Sequence, residues 1–121
     1  MVVLDTNVII DFLEGKEKVV ASVEKYPPSE LATTFVNRYE LLKYKNRERL
    51  EEAFENLALY QSTEAALRDA ANAYRQLREK GLGMSDSDLL IFGTCVANDE
   101  ILITQDKAFE NLRSERGLII K

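Results

Sequence analysis

The chain has 121 residues, 45% of them apolar and 31% charged, with a net charge of −5. That length buries roughly two-thirds of the unfolded surface around one core, so a single domain over residues 1–121 is expected. No apolar run approaches the ~20 residues that cross a bilayer, and Met1-Val2-Val3-Leu4-Asp5 meets an acid before any basic residue, so neither a membrane span nor a signal peptide is expected and the cytoplasm is the default compartment.

The chain contains no histidine and one cysteine. Ser-His-Asp and Cys-His nucleophile schemes are therefore excluded, as is the commonest zinc ligand. Cys95 lies in the apolar run Leu89–Ala97 and reads as a small buried hydrophobe. Hydrolytic chemistry in such a chain rests on carboxylates, lysines, hydroxyls or a metal held by oxygen.

Short β-rich runs alternate with helical patterns. Val2-Val3-Leu4 reads as a buried strand stopped by Asp5-Thr6-Asn7, followed by a short helix through Val8-Ile9-Ile10 and Phe12-Leu13 that ends at Gly15. A second helix, with Val19, Val20 and Val23 inward, stops before Pro27-Pro28. Leu31–Thr34 is a second strand. Phe35–Tyr44 is helical, with Phe35, Tyr39 and Leu42 on one face, and Leu50, Ala53, Phe54, Leu57 and Ala58 mark another amphipathic helix. Leu59-Tyr60-Gln61 reads as a short strand. Ser62 is placed as the cap of a long helix whose inner face is Leu67, Ala70, Ala71, Tyr74 and Leu77 and which ends at Gly81. Asp86–Ala97 is apolar nearly all round and predicts a central buried helix; Ile101–Thr104 and Leu118–Ile120 are the last strands.

Strands separated by helices predict a parallel sheet of four to five strands, flanked by helices on both faces. In such α/β sheets ligands collect beyond the carboxyl ends of the strands. Asp5 follows the first strand and Asp106 follows the fourth at that same edge, while Asp88 begins the buried helix and Glu40 lies in the helix after the second strand. Four carboxylates gathered without a cation repel one another by several kcal/mol in a partly desolvated site. Mg²⁺ or Mn²⁺ removes that cost and suits all-oxygen ligation. Each acid also has an ordinary structural role open to it. Asp5 can cap a helix, Glu40 can pair with Lys43 or Tyr44, Asp88 can complete a capping box with Ser85, and Asp106 can cap the Lys107–Leu112 turn.

Four segments together resemble a known family. Val3-Leu4-Asp5-Thr6-Asn7-Val8-Ile9-Ile10-Asp11, Tyr39-Glu40-Leu41-Leu42, Ser87-Asp88-Leu89-Leu90-Ile91-Phe92-Gly93-Thr94 and Ile101-Leu102-Ile103-Thr104-Gln105-Asp106-Lys107-Ala108-Phe109 resemble, in order, the acidic motifs of PIN-domain proteins, above all VapC-type toxin ribonucleases. The resemblance implies a PIN-like α/β/α sandwich and a Mg²⁺- or Mn²⁺-dependent endoribonuclease. Asp5, Glu40, Asp88 and Asp106 would form its catalytic, metal-holding cluster, with Asp5 and Asp88 as direct ligands. Thr6, Asn7 and Thr104 would orient those carboxylates. It also implies an RNA substrate, a VapB-like antitoxin whose arm enters the active-site groove, and a homodimer. Departures from the pattern are Phe92-Gly93, where a pair of alanines is usual, and Gln105; neither removes a carboxylate. Asp86, two residues before Asp88, reads as a helix cap.

Between Arg38 and Arg49 five basic residues face two acids, a local +3. A solvated helix face carries such charge; on a PIN fold, Arg38, Lys43 and Lys45 become candidate contacts to RNA phosphates. Competing α/β readings fit less well. A receiver domain needs an acidic pair after the first strand and an Asp ending a central strand, a haloacid-dehalogenase-like phosphatase needs Asp-x-Asp where this chain has Asp5-Thr6-Asn7, and a PIN-fold binding module without activity would not need all four acids.

Overall fold

A computed structural model describes residues 1–44 and 48–112. The expected strand at Leu118–Ile120, and Lys45 with Arg47, lie outside the described residues. In chain order the elements are β1 (Val2–Leu4), α1 (Thr6–Leu13), α2 (Glu17–Val23), a 3₁₀ turn (Pro28–Glu30), β2 (Leu31–Thr34), α3 (Phe35–Leu42), α4 (Glu48–Glu55), β3 (Ala58–Tyr60), α5 (Glu64–Glu79), α6 (Asp86–Ala97), β4 (Ile101–Ile103) and a second 3₁₀ turn (Lys107–Leu112). Among the described residues the sheet has four strands in the order β3-β2-β1-β4, all parallel. This is the expected α/β/α arrangement. No helix among the described residues is long and apolar enough to cross a membrane.

Strand periodicity divides the core in two. Val3 is in register with Ala32 on one side and Leu102 on the other, and this row packs against α5 and α6. Val2, Leu4 and Ile103 point the opposite way and meet Val8, Ile9, Val23, Leu41 and Phe54 from α1–α4. A sheet buried on both faces has no polar alternation to display, which is why its strands read as continuous apolar runs.

Three expectations are corrected in detail. α4 stops at Glu55, and Ala58, assigned to its apolar stripe, opens β3 instead, so that strand runs Ala58–Tyr60 rather than Leu59–Gln61. Thr63, not Ser62, caps α5, its side chain accepting from the Ala66 amide at 3.1 Å. The buried face of α5 is Ala66, Ala70, Ala73 and Leu77, while Leu67 and Tyr74 are exposed. The reason is the crossing with α6. A Cβ on Gly93 would stand 2.8 Å from the Ala70 amide nitrogen and 2.9 Å from its Cβ, and closer still to the Ala66 carbonyl oxygen. The two backbones approach so closely that only small side chains fit between them. The pairing of bulky Phe92 with Gly93 thus has a packing function: Phe92 fills the core and Gly93 admits α5.

Candidate active site

β1 delivers Asp5 to the carboxyl edge of the sheet, where it also caps α1. Its carboxylate is nearly inaccessible, 5% exposed. Oδ1 accepts from the Thr6 amide at 2.9 Å and from Asn37 Nδ2 at 2.9 Å, and Oδ2 accepts from the Thr104 hydroxyl at 2.5 Å. Burial pushes its pKa up; the donors Thr104, Thr6 and Asn37 pull the other way, and the negative charge of Glu40 adds to the rise. The cap and the chemical group are therefore the same atoms, and the two readings of Asp5 do not compete.

Glu40 is half-buried on α3 and receives the Thr6 hydroxyl at Oε1, 2.6 Å away. Thr104 joins a second acid to the network: its hydroxyl accepts from the Asp106 amide at 3.1 Å. Asp106 Oδ1 accepts from the Ala108 amide at 2.9 Å and so caps the 3₁₀ turn that follows. Asp88, at the third position of α6, has its own amide on the Ser85 hydroxyl at 3.2 Å, the expected capping contact. Its side chain is half-buried and its pKa is pushed up to about 6. Desolvation is the largest cause, opposed by a hydrogen bond with Ser85; the charges of Asp106 and Asp5, and a hydrogen bond to the Asp106 carboxyl, favour keeping the proton on.

The four acids are thus linked pairwise, Glu40 to Asp5, Asp5 to Asp88 and Asp88 to Asp106. Among the described residues none of them is in an ion pair with lysine or arginine. Nor, among those residues, does any group of three acidic or cysteine side chains take up an arrangement that could hold a metal ion. Asp5 spends both oxygens on donors, Glu40 accepts from Thr6, and Asp106 Oδ1 accepts from the Ala108 amide. The negative charges of Glu40 on Asp5, and of Asp5 and Asp106 on Asp88, bear on one another without a cationic side chain between them among the described residues. As all-oxygen donors, these four carboxylates are of the chemical kind that suits a hard divalent cation.

The PIN domain family matches residues 2–115 of the sequence. The chain belongs to that family. Its fold is also similar to a chain of the VapBC-1 structure from nontypeable Haemophilus influenzae, at 22% identity and TM-score 0.80 over 100% of this chain and 97% of that one. A chain of the Mycobacterium tuberculosis VapBC-5 toxin–antitoxin structure matches at 26% identity and TM-score 0.73 over 98% and 95%. A chain of a toxin–antitoxin complex from Klebsiella pneumoniae matches at 18% identity and TM-score 0.79 over 98% and 96%. Comparison with the curated proteins finds no match.

In this PIN domain Thr6 and Thr104 stand where the motifs place them, each touching a carboxylate. Asn7 stands apart: its Oδ1 is buried without a hydrogen-bond partner, and it does not reach the Asp5 network. The amide that does reach it is Asn37, which the motifs did not single out. The signal was present as Thr34-Phe35-Val36-Asn37, a capping-box spacing at the start of α3. Phe35 and Tyr39, the apolar face read from α3, are 51% and 60% exposed, and the helix instead buries Asn37 and Leu41. Of the basic residues, Arg38, on the helix that carries Glu40, lies over the Phe54 ring at 4.9 Å, and Lys43, at that helix's C-cap, lies over the exposed Tyr39 ring at 5.1 Å. Gln105 faces outward and donates to Asp11 Oδ2 at 2.7 Å, tying the segment between Thr104 and Asp106 to α1.

Proposed function

We propose that this PIN domain is a Mg²⁺- or Mn²⁺-dependent endoribonuclease and the toxin of a VapBC-type toxin–antitoxin pair, acting in the cytoplasm. What supports the reading is the PIN family match together with Asp5, buried at the carboxyl edge of the sheet and tied through Thr6 to Glu40 and through Thr104 to the Asp106 amide, with the Asp88 carboxyl pushed up to about 6 by burial and by the charges of Asp106 and Asp5. Carboxyl groups with raised pKa values beside other acids are characteristic of functional sites. Asp5 and Asp88 are assigned direct ligation of the cation, and Glu40 and Asp106 complete the set directly or through water. When bound, the cation polarises a phosphodiester and activates water. Thr6, Asn37 and Thr104 hold the carboxylates in orientation, and Glu40 or Asp106 orients the attacking water. Arg38 and Lys43 carry positive charge along the same helix, on an otherwise acidic protein, and are assigned to RNA phosphates.

A VapB-like antitoxin is the proposed partner. The VapBC complexes among the structural neighbours support it. The exposed apolar side chains Phe35, Tyr39, Leu67 and Tyr74 are assigned to a homodimer face.

The test is cleavage of a single-stranded RNA by the purified chain with Mg²⁺ or Mn²⁺ and with EDTA. Cation-dependent cleavage that disappears in Asp5→Asn, with a native circular dichroism spectrum, is the expected result. No cleavage under any cation leaves a binding module of PIN fold. Cleavage together with the lack of a small antitoxin-like partner favours an RNA-processing nuclease over a toxin.

A further inference from the structure

Asn37 is fully buried, and every polar atom of its side chain is used. Its Oδ1 accepts from the Thr34 amide at 3.3 Å and the Thr34 hydroxyl at 2.7 Å, while the Asn37 amide returns a bond to Thr34 Oγ1 at 3.2 Å. A backbone N–H can only donate, so the atom facing it must be the oxygen, which settles the orientation of the side-chain amide. The amino group consequently faces the acids, donating to Asp5 Oδ1 at 2.9 Å and to Thr6 Oγ1 at 3.0 Å. Because Thr6 Oγ1 receives that bond, its single hydrogen is directed at Glu40 Oε1, 2.6 Å away.

A helix cap needs only the oxygen half of this amide. In a capping box the longer Glu or Gln is usual at this position; the shorter Asn keeps its amino group back, against Asp5. One side chain thereby sets the angle of two carboxylates from different elements, Asp5 at the end of β1 directly and Glu40 on α3 through Thr6.

We propose that Asn37 is a positioning residue for Asp5 and Glu40 and that it sets the affinity of the site for its cation, not for RNA. This rests on the metal-dependent reading above. Removing a group that orients metal ligands costs about 10–100-fold in metal affinity, and the lower end is expected where water can replace part of the contact.

The experiment titrates Mn²⁺ into the full chain, its Asn37→Ala variant and its Asp5→Asn variant, following free Mn²⁺ by electron paramagnetic resonance. RNA cleavage is measured alongside at saturating Mn²⁺. For Asn37→Ala we expect Mn²⁺ binding about 10-fold weaker and a lower kcat, with the KM for RNA within twofold of the parent. Native Mn²⁺ affinity combined with only a lower melting temperature would overturn the proposal and leave Asn37 a helix cap. If Asn37→Ala does not fold, the side-chain amide resonances of Asn37 in the unmodified protein are followed during Mg²⁺ addition. A shift supports the proposal; unmoved resonances overturn it. Loss of Mn²⁺ binding in Asp5→Asn but not in Asn37→Ala removes this inference alone. Native binding in Asp5→Asn removes the metal reading and this inference with it.

Discussion

Replacing Asp88 by asparagine should make the metal-free protein more stable while destroying its function. The carboxyl of Asp88 titrates at about 6 in the fold against an ordinary 3.8. At ~1.4 kcal/mol per unit, that difference sets a ceiling of about 3 kcal/mol on the cost of ionising it. Asp88 is only half-buried, and water screens its neighbours, so about 1 kcal/mol is the expected penalty at neutral pH. An acid whose folded pKa lies above its unfolded value costs nothing below the unfolded pKa and its full penalty above the folded one. Stability of the parent in EDTA should therefore fall as pH rises from about 4 to about 6. A chain of this size unfolds with an entropy of roughly 0.25 kcal/mol/K, so Asp88→Asn should melt about 4 °C higher at pH 7.5. The gain should vanish near pH 4. With saturating Mn²⁺ the order reverses, because binding at 100 times Kd adds about 2.7 kcal/mol to the parent only. The assay is thermal unfolding by circular dichroism at pH 4 and 7.5, in EDTA and in Mn²⁺. A variant less stable than the parent in EDTA at pH 7.5, or a gain that does not depend on pH, would refute the reasoning.

Thr104→Val, nearly the same shape, removes the donor to Asp5 and the acceptor for the Asp106 amide together; we expect a loss of about 1–3 kcal/mol in urea unfolding and of 10–100-fold in RNA cleavage. Gly93→Ala pushes a methyl group into the backbone of α5; overpacking of about 2–3 kcal/mol should lower the melting temperature by roughly 10 °C, and a change under 2 °C would mean that the helices cross less closely. Lys43→Ala should weaken RNA binding, with the salt slope of the affinity reduced by about 1 and little change in stability. Arg38→Ala should do the same and also cost about 0.5–1 kcal/mol, because the guanidinium lies over Phe54.

The alternation of strands and helices was legible because burial on both faces makes each strand a short apolar run, and Gly15, Pro27-Pro28 and Gly81 punctuate the helices between them. With the strands parallel, Asp5 and Asp106 had to reach the same edge, so half of the proposed site followed from position alone. Glu40 and Asp88 came from their motifs, not from any periodicity. What was misread was phase. Apolar spacing put Phe35, Tyr39 and Leu42 on one face of α3, and that face lies in solvent; it put Leu67 and Tyr74 inside α5, where alanines stand. Hydrophobic periodicity locates a helix, but the side that turns inward depends on what waits there. For α5 this is the backbone of a helix passing Gly93, and for α3 it is a carboxylate.

By itself, then, the sequence determined the layered parallel architecture and the family, and singled out the four acids proposed for the site, since these depend on local patterning and residue chemistry. Only the tertiary structure decided how the acids are held. Asn37 meets a partner 32 residues away and Thr104 one 99 residues away. A buried polar side chain must find its hydrogen-bond partner wherever the fold brings one, and no local spacing encodes that distance.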